Sequence, residues 1–248
     1  SGDKIGKADV KAFEEQNFTR FSNSLSEKAL RYDLTVPFAR YVVQNQSEIE
    51  FPFKRYQIQP VWRADRPQKG RFREFYQSDA DVVGSNSLWQ EVELVQLYDS
   101  IFTELKLEGV TIKINNRKIL TGIAEVMGAS DKLIDFTVAL DKLDKIGKEG
   151  VTKELVNLGV DEVKCEKLFQ IIGNSALTRE NLIAFGNAFN DNAIANEAIK
   201  ELSEILDYLE NADIDLNIEL DLSLARGLDY YTGCIFEAIV SDSKIGSI

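Results

Sequence analysis

Two strand patterns joined by a short basic loop constrain the fold of this chain more than any other feature. Residues 53–62, FKRYQIQPVW, and residues 71–83, RFREFYQSDADVV, each have the composition of a β-strand. The loop of residues 63–70 contains Pro67 and Gly70, two residue types that favour turns. Adjacent strands with such a short connection pair antiparallel, so the sequence predicts a long antiparallel hairpin.

The rest of the chain mixes helical patterns with isolated strands, which predicts an α+β fold. Further strand patterns lie at residues 29–34, 110–115, 216–224 and 234–240, and helical patterns at residues 35–45, 87–105, 117–127, 131–146, 152–158, 161–172, 179–189 and 195–211. Because no strand pattern interrupts residues 147–212, we interpret them as an all-helical insertion. It separates a first core part, residues 1–146, from a second core part, residues 213–248.

Capping residues predict where three of the helices begin or end. Thr35 is a good N-cap, and Pro37 follows in the first turn, where its missing N–H costs little. Residues 87–90, SLWQ, fit a capping box that starts at Ser87. Gly128 is expected directly after the last turn of the helix at residues 117–127.

Positive charge is concentrated in the hairpin, although the chain as a whole is acidic. The net charge of the 248 residues is −12. Residues 54–73 contain seven cationic residues and one anionic residue, Asp65, so this window carries +6 and the remaining residues carry −18. Assembling such a basic segment costs free energy unless an anionic ligand binds there. The charge pattern therefore indicates an anion-binding site in the hairpin.

The absence of histidine excludes several classes of mechanism. A chain without histidine has no Ser-His-Asp triad, no HExxH zinc site and no histidine general base. The two cysteines, Cys165 and Cys234, form neither a structural zinc site nor a disulfide framework, and we expect a cytoplasmic protein. No apolar run is long enough to cross a membrane, and we see no secretory leader. Chemistry must come from arginines, carboxylates, tyrosines, the backbone and magnesium.

The second strand of the hairpin carries an unusual face. Alternate residues of a strand share one side, and here the side has arginines at one end, a phenylalanine in the middle, and an amide and carboxylates at the other end. These residues are Arg71, Arg73, Phe75, Gln77, Asp79 and Asp81. The arrangement suits an elongated ligand with phosphates, a flat ring and a hydrogen-donating group, since arginine binds phosphate through two parallel hydrogen bonds. A solvated face on an edge hairpin is the alternative.

Two further segments contain polar residues at the ends of predicted strands. Residues 226–233, RGLDYYTG, place an arginine and two tyrosines between two apolar strands, where they form either a packed corner or a pocket wall. Residues 30–35, LRYDLT, place Asp33 and Thr35 just before a helix. Asp33 and Thr35 could bind an amine, but the residues alone favour a simpler role in which Thr35 caps the helix.

Together, three stretches resemble the histidyl-tRNA synthetase family of class II aminoacyl-tRNA synthetases. They are LRYDLTVPFARY at residues 30–41, PVWRADRPQKGRFREFYQ at residues 60–77 and ARGLDYYTGCIFEA at residues 225–238. The second resembles class II motif 2, and the third resembles a stretch peculiar to histidyl enzymes. The resemblance covers most of residues 29–248. It implies a class II synthetase-like antiparallel sheet flanked by helices, with an all-helical insert.

The resemblance also implies roles for individual residues in the use of ATP. Arg63 would grip the α-phosphate and the histidine carboxylate, and Arg226 would face it across the reacting groups; these two are the candidate catalytic residues. Arg71 would hold the far phosphates, Phe75 would stack on adenine, and Asp65 would complete the ATP site. Magnesium would share the phosphate charge, without a dedicated protein metal site.

The same resemblance implies a binding site for L-histidine, in which Arg226 also takes part. Asp33, Thr35 and Gln77 would bind the α-amino group. Asp81 and Tyr231 would read the imidazole, with Tyr230 nearby. A site built to bond an imidazole N–H should reject amino acids that lack it.

The family activity is histidine–tRNA ligation, with histidine, ATP and the acceptor end of tRNA(His) as substrates. Carboxylate attack on phosphorus needs positioning and charge neutralisation more than proton transfer, which a site without histidine can provide. Motif 1, motif 3 and an anticodon-binding domain are not recognisable. We therefore expect a fragment with weak or no activity, from a full-length protein that forms a homodimer.

Two other functions are compatible with parts of this pattern. A regulatory paralogue of the synthetase would bind histidine as a sensor and would need no intact ATP site. The presence of Arg63, Arg71 and Phe75 favours the enzyme over this paralogue. A scaffold fragment that binds no ligand is the third possibility, and histidine binding would separate it from the other two.

Overall fold

The computed structural model describes residues 6–18, 20–21, 28–68, 70–172, 179–188, 192–225 and 231–240. The chain divides into two compact units, Ser1–Ser85 and Asn86–Ile248. The helices and strands of the first unit are α1 (Lys7–Glu14), α2 (Thr35–Gln44), β1 (Phe53–Trp62) and β2 (Glu74–Val83). No helix in the described ranges is both long and apolar enough to span a membrane.

The predicted hairpin is confirmed in the first unit. β1 and β2 pair antiparallel over ten residues each, from Phe53 opposite Val83 to Trp62 opposite Glu74. β2 begins at Glu74, whereas the sequence predicted a start at residue 71. Gly70 has a left-handed backbone conformation (φ +78°), and Gln68 and Arg71 exchange two backbone hydrogen bonds around it. This tight turn keeps residues 71–73 in the loop.

The hairpin shelters its polar face and exposes its apolar face. Side chains of α2 and of the segment before it cover the polar face: Phe38 stacks on Phe53 with ring centroids 6.1 Å apart. On the opposite face, Tyr56, Ile58 and Tyr76 are exposed. Because an ordinary two-layer fold buries the apolar face, the sheltered polar side chains indicate a functional role for that face.

Residues 29–34 do not form the predicted strand. One backbone hydrogen bond, from Trp62 N to Arg31 O at 3.0 Å, ties this segment to the edge of β1. Pro60 lies two positions before Trp62 on the same edge of β1. Because it has no backbone N–H, the hydrogen bonding between this segment and β1 cannot continue there. The Arg31 side chain instead donates to Pro60 O at 2.9 Å.

Two predicted caps are also wrong in detail. α2 begins at Thr35, and its cap is supplied by Asp33, whose Oδ1 accepts from Val36 N at 3.0 Å. The capping box at Ser87 is incomplete, because Gln90 Oε1 accepts no hydrogen bond within the described part of the chain. Ser87 Oγ accepts a weaker bond from Trp89 N at 3.3 Å.

The second unit packs helices around a small sheet. Its elements are α3 (Trp89–Glu104), β3 (Val110–Asn116), α4 (Arg117–Met127), a 3₁₀ turn (Ser130–Lys132), α5 (Leu133–Leu140), α6 (Leu143–Asn157), α7 (Glu162–Ile172), α8 (Arg179–Ala188), α9 (Ala193–Leu209), β4 (Asn217–Leu220) and β5 (Cys234–Val240). β3 is the central strand, parallel to β4 and antiparallel to β5. The described part of residues 147–212 contains helices and turns and no strand.

Burial explains the position of β3 at the centre of this unit. Ile112 and Ile114 are fully buried and join one hydrophobic core with residues of α3, α4 and α9. β4 is shorter than the predicted strand at residues 216–224. It ends because Asp221 Oδ1 accepts hydrogen bonds from the backbone N–H and the hydroxyl of Ser223, which closes a turn. As predicted, α4 ends at Gly128, in a left-handed conformation.

Candidate active site

A cleft of about 440 Å³ opens at the end of the hairpin, between the loop and the segment before α2. Residues from both segments and from the start of β2 line it: Tyr32, Arg63, Asp65, Gly70, Arg71, Phe72 and Phe75. All four residues predicted to bind ATP are among them. The structure thus brings two guanidinium groups, one carboxylate and two phenylalanine rings around a single space.

Arg63 is the most firmly held cation of the cleft. Its backbone N–H donates to Arg73 O at 2.9 Å, and its Nε donates to Tyr32 O at 3.3 Å. Its guanidinium lies 4.6 Å from the ring centre of Tyr32 and 5.0 Å from that of Phe75. Such contacts orient the planar fork while leaving its two terminal nitrogens for a ligand.

Arg71 and Arg73 differ from the sequence prediction, because both lie in the loop and not on the strand face. Arg71 is exposed in the turn around Gly70 and lines the cleft. Arg73 Nε donates to Asp65 O at 3.2 Å, which holds the loop. Arg71 therefore remains a candidate phosphate ligand. The hydrogen bond of Arg73 stabilises the loop.

Beyond Phe75, the sheltered face of the hairpin forms a polar strip. Phe75, Gln77, Asp79 and Asp81 alternate along β2, and each is partly buried. On β1 their cross-strand neighbours are Val61, Gln59, Gln57 and Arg55, respectively. Arg55, Gln57 and Gln59 were not predicted as residues of the site. Their alternation in FKRYQIQPVW already groups them on one face of β1.

Two buried oxygen acceptors in this strip have no hydrogen-bond donor within the described part of the chain. They are Gln77 Oε1 and Asp81 Oδ2. Asp81 Oδ2 lies 2.8 Å from Arg55 Nη2, and this contact is an ion pair without an aligned hydrogen bond. Unpaired buried acceptors are costly, so a ligand with two N–H donors is expected here.

The two carboxylates of the strip differ in the charges that surround them. Burial raises the pKa of Asp81, and the Arg55 charge acts against that rise. Burial also raises the pKa of Asp79, as does the neighbouring charge of Asp81, while Arg55 again acts in the opposite direction. Arg55 is thus the main cation that keeps these carboxylates ionised.

Asp33 and Thr35 lie beside the polar strip. Both are partly buried, and the residue between them, Leu34, accepts the hydrogen bond from Arg55. One oxygen of Asp33 caps α2, so its carboxylate is already engaged in part. The structure therefore brings the predicted ligands of the α-amino group close to the side chain that contacts Asp81.

Of the remaining predicted residues, only Tyr231 is described; Arg226 and Tyr230 lie outside the described residues. Tyr231 is partly buried and packs against the core of the second unit.

The ends of the segment that contains these three residues are held by the carboxyl end of β3 and the first residue of α4. Asn115 Nδ2 donates to Leu224 O at 2.9 Å, and Arg117 Nη1 donates to Ala225 O at 3.2 Å. Arg117 N donates to Gly233 O at 2.8 Å. Asn115 and Arg117 were also not predicted to belong to the site. Their residue types alone do not reveal backbone partners so far away in the chain.

The two cysteines offer no reactive thiolate near neutral pH. Burial strongly raises the pKa of Cys234, and the charges of Glu91 and Glu201 raise it further. Burial also raises the pKa of Cys165. Both side chains therefore stay protonated and serve packing.

A magnesium ion fits this cleft only as a companion of phosphates. No cluster of three metal-binding side chains exists among the described residues, and the cleft contains one carboxylate, Asp65. Mg²⁺ is commonly held by one or two carboxylates together with substrate phosphates, which agrees with this donor set. Asp65 is the residue that would contact the ion.

Comparisons with known proteins relate the chain to one family. A family model described as histidyl-tRNA synthetase matches residues 10–245. Histidine–tRNA ligases of Christiangramia forsetii and Flavobacterium johnsoniae are 59% and 65% identical to the chain, over 100% and 92% of its length. The alignments cover 55% and 49% of those proteins, so the chain spans about half the length of the curated relatives that it matches.

Solved structures show the same relationship. The histidyl-tRNA synthetase of Nostoc sp. PCC 7120 superposes with a TM-score of 0.78 at 30% identity, covering 86% of this chain and 49% of that chain. An ATP phosphoribosyltransferase complex from Thermotoga maritima superposes with a TM-score of 0.60 at 18% identity, over 86% of this chain and 72% of that chain, which is a likeness of fold alone. From its motifs, its fold and a family match over nearly its whole length, the chain belongs to the histidyl-tRNA synthetase family.

Proposed function

We propose that the intact protein containing this chain is a histidine–tRNA ligase, which forms histidyl adenylate from L-histidine and ATP and transfers the histidyl group to the 3′ end of tRNA(His). One observation carries the proposal. The cleft lined by Arg63, Arg71 and Phe75 continues along β2 into a strip with two unpaired acceptors, Gln77 Oε1 and Asp81 Oδ2. Cations for phosphates, an aromatic ring for adenine and acceptors for N–H donors thus lie on one hairpin, as the simultaneous binding of ATP and histidine requires.

In the first step, a carboxylate oxygen of histidine attacks the α-phosphorus of ATP, and the bond to the β-phosphate breaks to release pyrophosphate. Arg63 would neutralise charge on both reacting groups, because it lines the cleft and its Nε and ring contacts fix its orientation. Arg71 would hold the leaving phosphates, and Phe75 would stack on adenine. Bound magnesium would supply further charge neutralisation at the phosphates.

Recognition of histidine would use the polar strip. Gln77 Oε1, with Asp33 and Thr35, would accept from the α-ammonium group, and Asp81 would accept from an imidazole N–H. By the family resemblance, Tyr231, Tyr230 and Arg226 would also take part in histidine binding. An amino acid without a ring N–H would leave Asp81 Oδ2 buried without a hydrogen-bond donor, which is the basis for rejecting it.

In the second step, a hydroxyl of the terminal tRNA ribose attacks the histidyl carbonyl and AMP leaves. The basic loop at residues 63–73 would contact the acceptor end, since phosphates favour a cationic surface. A homodimer of the intact protein is part of the proposal.

Histidine-dependent exchange of labelled pyrophosphate into ATP tests the first step in the intact protein. We expect exchange that requires histidine and falls strongly in Arg71→Ala. Arg66→Ala is a matched control, because Arg66 is an exposed arginine of the same loop and does not line the cleft. Histidine binding without ATP binding or exchange would instead support a histidine-sensing regulatory paralogue.

A further inference from the structure

Arg55 is a sheltered cation at the far end of the polar strip, opposite Asp81. Its side chain is 11% exposed, and its guanidinium lies 4.1 Å from the ring centre of Phe38. Nη2 is 2.8 Å from Asp81 Oδ2 and donates to Leu34 O at 3.2 Å. Nη1 donates to Gln57 Oε1 at 2.6 Å. A guanidinium so far removed from water is costly unless its partners are fixed, so these contacts hold one another in place.

These contacts connect three parts of the first unit. Asp81 belongs to β2, Leu34 precedes α2, and Gln57 lies on β1 itself and donates in turn to Gln59 Oε1 at 3.1 Å. Leu34 stands between Asp33 and Thr35. Arg55 therefore links the carboxylate that would read the imidazole to the segment that would bind the α-ammonium group.

We propose that Arg55 is a positioning and specificity-determining residue for histidine, which holds the Asp81 carboxylate and the segment at residues 33–35 in their ligand-accepting arrangement. This inference rests on the proposed function. Arg55 acts through other residues, because both of its terminal nitrogens donate to the protein and only its buried Nε has no partner among the described residues.

The charges around Asp81 explain why a cation is needed. Arg55 faces it from β1 and Asp79 from β2, while Asp33 before α2 and Arg63 at the end of β1 act on Asp79. Without Arg55, burial would raise the pKa of Asp81 unopposed. A protonated Asp81 has lost the charge that strengthens its bond to an imidazole N–H, so histidine affinity would fall as the pH is lowered through that raised pKa.

The test compares Arg55→Met and Arg55→Lys with wild type in the intact protein, by pyrophosphate exchange at several pH values. Arg55→Met removes the charge but keeps a long, flexible side chain. Arg55→Lys keeps the charge but lacks the planar guanidinium group with its two terminal nitrogens. Lys54→Met is the control, because Lys54 is the adjacent cation on the exposed face of β1. Calorimetric titration with L-histidine alone gives a second readout, independent of ATP.

We expect Arg55→Met to raise the KM for histidine by about tenfold or more and to change the KM for ATP by less than about twofold. Arg55→Lys should lie between Arg55→Met and wild type, and Lys54→Met should match wild type. With a histidine isostere whose triazole ring stays neutral, the affinity of both proteins should fall towards acidic pH, and that of Arg55→Met should begin to fall at a higher pH than that of wild type.

Equal increases in both KM values, or an unchanged histidine KM with the pH profile of wild type, would overturn the role of Arg55. If Arg55→Met does not fold, Arg55→Lys alone decides, because loss of the fork should still raise the histidine KM selectively. Failure of the proposed function looks different: the wild-type protein itself would then show no histidine-dependent exchange.

Discussion

The guanidinium of Arg63 lies 5.0 Å from the ring centre of Phe75, at the point where the loop of the hairpin meets β2. This pair joins the two halves of the proposed site. On one side lies the cleft with Arg71, and on the other the polar strip begins with Gln77. The relationship places a cation for the reacting phosphate next to a ring that can stack on a base.

Replacing Phe75 should therefore weaken ATP binding more than histidine binding. Phe75→Leu keeps an apolar side chain but removes the stacking surface, and stacking of a base on an aromatic ring is worth about 1–3 kcal/mol. We expect the KM for ATP to rise by about tenfold in pyrophosphate exchange. Tyr76→Leu, on the exposed face of the same strand, is the control. Equal effects of the two substitutions would count against a stacking role for Phe75.

Asp33 combines a structural and a proposed binding role, and two substitutions separate them. Asp33→Ala removes the cap on Val36 N and should reduce the free energy of unfolding by about 1 kcal/mol. Asp33→Ser restores a cap but not the negative charge. We expect Asp33→Ser to recover most of the stability in thermal unfolding while the KM for histidine stays high in both variants. Recovery of the histidine KM in Asp33→Ser would show that the cap alone explains the residue.

The ion pair of Lys113 with Asp221 predicts a pH-dependent contribution to the stability of the second unit. Burial opposes ionisation of Asp221, but the hydrogen bonds from Lys113 and Ser223 and the charge of Lys113 outweigh it and lower its pKa. A lowered pKa means that the stabilisation is present above the unfolded-state pKa of about 4 and is lost as the pH falls through the folded-state pKa.

Denaturant unfolding of wild type and Asp221→Asn at a series of pH values tests this contribution. The difference in the free energy of unfolding should be largest near neutral pH and shrink in acid. Asp213→Asn is an exposed control that should show no such trend. A difference that is constant with pH would mean that Asp221 contributes by packing and neutral hydrogen bonds only.

Sequence patterns were sufficient for the parts of the fold that depend on local periodicity. The alternation in FKRYQIQPVW gave both bounds of β1, and Gly128 gave the end of α4, because each depends on residues adjacent in the chain. The start of β2 was wrong because the turn around Gly70 takes up three residues that also have strand composition. The cap of α2 was predicted at Thr35, but Asp33 supplies it. Both residue types can cap a helix, and only the backbone angles show which of them does so here.

The candidate site was predicted in part for the same reason. Residues of β2 share a face by their spacing, so Phe75, Gln77 and Asp81 could be grouped without a structure. The importance of Arg55 depends on its cross-strand register with Asp81 and on its hydrogen bond to Leu34, 21 residues away in the chain. Such contacts between distant residues leave no periodic signal, and the site was therefore incomplete until the strands were paired.

Titration calorimetry of L-histidine into the intact protein tests the central claim most directly, with Asp81→Ala and Ser78→Ala measured beside wild type. Asp81 and Ser78 lie on opposite faces of β2, so a general effect on the strand would appear in both variants. The account predicts that wild type and Ser78→Ala bind histidine equally, and that Asp81→Ala binds it at least about tenfold more weakly. Undiminished binding by Asp81→Ala would contradict the assignment of the polar strip as the histidine site.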